Sequence, residues 1–182
     1  MKKKTKFFLI TIWIFLTRGI DLYATAKFTP YLSREGNPLV SVGGLSWTPL
    51  IIIIICLVAY SIYALYISTF KNYDVLPTEK GLNFGDFFAF IHLGKKGHWT
   101  SVLYRLPSDI MRWTQIVGYL SSTGLVFAGL ATTLMWIMIY YIPGFYESYY
   151  NLNAIYSIIL IGSIAIWTNY YRGLFKKYIK LV

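Results

Sequence analysis

The residues of this sequence best suited to chemistry are gathered between Thr17 and Pro38. Arg18, Asp21 and Thr25 lie in an apolar stretch, and Glu35 and Asn37 in the polar loop that follows. A charge at mid-bilayer costs roughly 2.5–3.5 kcal/mol on insertion scales, so ionisable groups inside apolar segments are rare and usually paired. Arg18 and Asp21, three apart, share a helix face and can form such a pair. Thr17, Asp21 and Thr25 recur every four residues and give that helix one polar stripe. On a helix beginning at Phe7, Arg18 and Asp21 stand about 17 and 21 Å along its axis, in the far half of a ~30 Å hydrocarbon core. Two readings follow. If Glu35 and Asn37 fold back from the loop, these residues form an ion, proton or polar-ligand site. Arg18 set against Asp21 and Glu35 leaves a net negative charge there, which suits a cation or a cationic ligand. Alternatively, the same groups neutralise one another and tie the loop down.

The frame around this stretch is apolar. Of 182 residues, 57% are hydrophobic and 13% charged, about half the charge of a soluble domain, and the mean hydropathy is +0.54. Four apolar runs, near 7–26, 49–70, 113–142 and 153–175, predict an all-α polytopic membrane protein with four transmembrane helices in a single membrane domain, 1–182. The first run also fits a secretory signal peptide, with a basic MKKKTK start and a small-residue Ala24-Thr25-Ala26 site. The Arg18–Asp21 pair favours an uncleaved span, since a shielded pair makes more sense in a bundle than in a discarded peptide. Residues 27–47 are dense in Pro and Gly and read as a loop. The run from Pro49 to Phe70 carries no charge and is the clearest span. In 113–142, Gly124, Ala128 and Thr132 recur at four-residue spacing, a small-residue face that lets another helix approach closely.

The 71–108 connection is polar, but Phe84, Phe87, Phe88 and Ile91 fall at helical spacing within it, with Lys95 and Lys96 following. That pattern suits an amphipathic helix in the membrane interface, or equally a short helix packed on the end of the bundle. Ser108 reads as an N-cap, with Asp109 in the first turn of the helix it starts.

The charges then fix an expected orientation. With four spans, fourteen of the seventeen Lys and Arg fall on one side: at the N-terminus, in the 71–112 connection and in the tail. Both termini are therefore expected in the cytoplasm. Topology accounts for most of the net charge of +10, and a nucleic-acid partner loses its main support. Cys56 is the sole cysteine and can form no intrachain disulfide. His92 and His98 are six apart, off a common helix face, so no metal site is expected. Asp74, Glu79 and Asp86 lack paired spacing, and no hydrolase, zinc-protease, phosphate-loop or dinucleotide pattern occurs. An enzyme is the weakest reading, and no cofactor is indicated.

Asp21 and Thr25, then Glu35-Gly36-Asn37-Pro38 after the first span, resemble an element of uncharacterised small multi-pass prokaryotic membrane proteins. There an Asp-x-x-x-Thr helix precedes Glu-x-Asn-Pro and further apolar spans. The resemblance covers about the first third of the chain; it implies a prokaryotic inner membrane and no activity. The leading functional expectation is a non-enzymatic component of a homo-oligomer or larger membrane complex, in contact with the lipid bilayer. The alternative is a transporter, channel or ligand sensor built on Arg18, Asp21, Glu35 and Asn37.

Overall fold

A computed structural model describes residues 2–32, 36–71 and 73–181, and every regular element among them is a helix. In chain order these are α1 (Lys3–Phe28), the single turn α2 (Pro38–Ser41), α3 (Trp47–Phe70), α4 (Phe84–Leu93), α5 (Ile110–Tyr141), α6 (Pro143–Tyr149) and α7 (Leu152–Leu181), with a 3-10 turn at Trp99–Leu103. Helices α1, α3, α5 and α7 are long and apolar enough to cross a membrane. The chain is an integral membrane protein whose spans face lipid. The expected spans are present, and all four helices are longer than the apolar runs alone. α7 in particular continues through Arg172, Lys176 and Lys177 to Leu181, because Tyr178 on its last turns is buried.

The spans pack around α5, which touches α1, α3 and α7. Two glycines of α5 set its approaches to α3 and α1. A Cβ on Gly118 would run into the Ala64 carbonyl of α3, and one on Gly129 into Thr17 and Arg18 of α1. Without a side chain, α5 comes close at both places, and the helices gain packing contacts in lipid. The first turns of α1 and the last turns of α7 share one end of the bundle: the Phe7 ring meets Phe70 at 5.4 Å, Lys6 Nζ lies 4.4 Å over Tyr119, and Tyr178 clusters with Ile116 and Leu120.

At 32 residues, α5 runs ~48 Å, well beyond the hydrocarbon core. Its first turns carry the 71–108 connection. Ile116 and Leu120 join Val75, Leu82, Phe87, Ile91, Tyr171 and Tyr178 in a buried cluster. Polar staples hold it: Tyr178 Oη accepts from Leu82 N at 2.9 Å and donates to Glu79 O at 2.8 Å, while Arg112 Nη2 donates to Val75 O at 2.7 Å.

Helix α4 is the expected helix of this connection. Asn83 caps it by accepting from Asp86 N at 2.9 Å, and Gly94, at φ 74°, ends it. Its stripe packs on the bundle end. Phe87 and Ile91 are buried, the Phe87 and Phe88 rings meet Tyr178 and Tyr171 of α7, and Phe84 is the exposed end of the row. Lys95 and Lys96 stay exposed just beyond. One cap differs from expectation by a residue. Asp109, not Ser108, caps α5, accepting from Met111 N and Arg112 N. The Ser108 hydroxyl is engaged elsewhere, donating to Leu93 O at 2.7 Å.

Candidate functional site

In the half of the bundle away from the termini, α1 presents Arg18 and Asp21 towards α5. Arg18 Nη1 stands 3.4 Å from Asp21 Oδ2, as the three-residue spacing predicts. The second guanidinium nitrogen, Nη2, donates to Thr132 Oγ1 at 3.3 Å. The other carboxylate oxygen, Asp21 Oδ1, accepts from Trp136 Nε1 at 3.1 Å. One turn of α5 thus supplies an acceptor to the cation and a donor to the anion, since Thr132 and Trp136 are four apart and share a face. Phe28 stacks on the Trp136 ring at 5.4 Å and fixes its plane. Gly129, one turn earlier, leaves room for Arg18 to reach α5.

The pair is only partly enclosed, with 18% of the Arg18 side chain and 25% of that of Asp21 accessible. Both border a cavity of about 390 Å³ among the four spans. Thr25 and Asn37 line the same cavity, as do Ala128, Thr132 and Trp136. The remaining wall is mostly aliphatic, from Leu50, Ile53 and Ile54 of α3 to Ile155 and Ile159 of α7, with Tyr146 and Tyr156 among it. Asn37 is held by local chemistry. Its side chain accepts from Leu39 N at 3.0 Å and caps α2, with Pro38 at the first helical position. The loop is anchored from α7 by Tyr156, whose hydroxyl donates to Gly36 O at 2.8 Å. Glu35 lies outside the described residues.

Of the residues marked in the sequence, Arg18, Asp21, Thr25 and Asn37 therefore border one cavity. Thr17 does not: it is buried against Gly129 and its hydroxyl returns to Trp13 O at 2.8 Å. The small-residue row divides. Ala128 and Thr132 border the cavity, whereas a Cβ on Gly124 would meet only Trp167 Nε1, at 4.0 Å. Among the glycines of α5, the close helix approaches are at Gly118 and Gly129 instead. Trp136 escaped the sequence reading, although an indole N–H in a span must find an acceptor. Its spacing from Thr132 was the available signal.

The histidines stand apart from this site. His92 Nε2 lies 2.7 Å from Tyr171 Oη, and burial lowers its pKa to about 4. His98 is exposed and its Nδ1 lies 2.9 Å from Thr100 Oγ1. No family model matches the sequence, and neither a curated protein nor a solved structure does.

Proposed function

We propose that this integral membrane protein binds a small ligand in the cavity at Arg18 and Asp21. The observation that carries this reading is that a cavity of about 390 Å³ is bordered by a partly accessible ion pair and otherwise by mostly aliphatic side chains. A site of that kind, apolar with few converging polar groups, is the usual form of a small-molecule pocket. The pair offers an acceptor and donors side by side, and Arg18 Nε is buried without a partner among the described residues. The group recognised is therefore one with both a donor and an acceptor, such as a zwitterion, an amide or a hydroxyl, carried on an apolar body that lies along Ile53, Ile54 and Ile159. The Asp-x-x-x-Thr and Asn-Pro element is then the ligand-holding signature of this chain. Binding or sensing fits better than transport by a single chain. The lining residues all lie in one half of the bundle, and in the other half Gly118 meets the Ala64 backbone.

The test is thermal unfolding of purified protein in mild detergent against a panel of zwitterionic, amide and hydroxylated amphiphiles. A ligand present at a hundred times its Kd raises stability by about 2.7 kcal/mol. At least one compound should raise the Tm, and Asp21→Asn and Arg18→Gln should abolish that shift while retaining a folded peak. A panel without effect, or shifts that survive both substitutions, would refute the site.

A second reading, a subunit of a homo-oligomer or larger membrane complex, has one observation in its favour. α7 packs mainly on α5, and Leu160, Ile161 and Ile164 are more than half exposed. Its mass in mild detergent separates the two, since a clean monomer would argue against the assembly.

A further inference from the structure

The α4 stripe is buried, yet the same connection exposes another apolar row immediately after it. Leu103 is 80% exposed, Leu106 91% and Ile110 69%, with Trp99 and Tyr104 beside them. A run of large apolar side chains this exposed marks an interaction surface. We propose that residues 99–111 seat in the headgroup layer of a bilayer containing anionic lipid, on the side that bears both termini.

Two observations choose lipid over a protein partner. First, the row adjoins a span at membrane depth. Met111 Sδ lies 4.0 Å from Tyr63 Oη, and Tyr63 stands eight residues, about 12 Å, inside the charge at Lys71 that follows α3. Second, the cations are placed for headgroups. Lys95, Lys96 and Arg105 are all exposed around the row, and the Arg105 guanidinium lies 5.6 Å from the Tyr104 ring centre. Apolar side chains flanked by basic ones are the composition of an interfacial anchor on anionic membrane. The stripe of α4 packs against α7, and the segment after it is the one this proposal places in the interface.

Site-directed spin labels test this in a Cys56→Ser background, with the protein in vesicles of phosphatidylcholine alone or mixed with phosphatidylglycerol. Labels at Leu103→Cys and Leu106→Cys should be several-fold more accessible to oxygen, relative to a water-soluble nickel chelate, than a label at Lys80→Cys, an exposed position in the same connection. Phosphatidylglycerol should deepen both labels, and the combined Lys95→Gln, Lys96→Gln and Arg105→Gln variant should lose that response. Nickel accessibility matching Lys80→Cys would overturn the proposal, because the row would then stand in water. Labels closed to both reagents would also overturn it, because protein would then cover the row. Immersion indifferent to phosphatidylglycerol would overturn the selection of anionic lipid. All readouts are local, so they do not depend on whether the cavity at Arg18 binds a ligand.

Discussion

At the scale of single residues, the ion pair on α1 is a four-part unit, because Thr132 and Trp136 each hold one of its members. Removing one charge strands the other, so Asp21→Asn should destabilise the protein by about 2 kcal/mol, the worth of hydrogen bonds to a charged group. The double change Arg18→Gln with Asp21→Asn should cost less than the single one. Detergent unfolding of the two singles and the double closes the cycle, and additive losses would exclude coupling. Half of this unit was legible in the sequence. A three-residue spacing announces Arg18 and Asp21, but no local rule names partners over a hundred positions away on α5. His92 makes a second case. Burial lowers its pKa to about 4, against an unfolded value near 6.5, so the unfolded chain binds more protons between those limits. Its contribution to stability is complete above about pH 6.5 and is lost as pH falls towards 4. Thermal unfolding across that window should show the decline, and His92→Gln should flatten it.

At the scale of elements, glycine position separates helix contact from helix propensity. The row at Gly124, Ala128 and Thr132 has the spacing of a packing face, but spacing is silent on which face the neighbour occupies. Gly118 and Gly129, with no such repeat, meet Ala64 and Thr17. Gly118→Ala should therefore destabilise the bundle by about 1–3 kcal/mol through overpacking. Gly124→Ala should be neutral or gain up to about 1 kcal/mol of helix propensity. Paired melting curves decide it, and equal effects at the two sites would contradict this packing. Helix α4 teaches a related lesson. Periodicity at Phe84, Phe87, Phe88 and Ile91 gave the helix and its apolar face correctly. What covers that face depended on Phe175 and Tyr178 of α7, which no local window contains.

At the scale of the whole molecule, four uncharged or nearly uncharged runs were enough to read the architecture, because a backbone in lipid has few alternatives to a helix. The short turns α2 and α6 were not read, being set by proline at a helix start rather than by any apolar pattern. Orientation is the next consequence of the basic end: reporters fused at Lys27 and Ser148 should lie outside the cell and one at Lys96 inside, and an interior Ser148 would reverse the assignment. The central place of α5 also bears on biogenesis. α1 leaves the ribosome first with Arg18 and Asp21 aboard, and their partners Thr132 and Trp136 follow 114 and 115 positions later. Until the third span is threaded, the first must lodge in lipid with its polar face uncovered. Within these bonds, the pair on α1 gains its partners only when α5 has been made, so the burial of its polar face is completed late in synthesis.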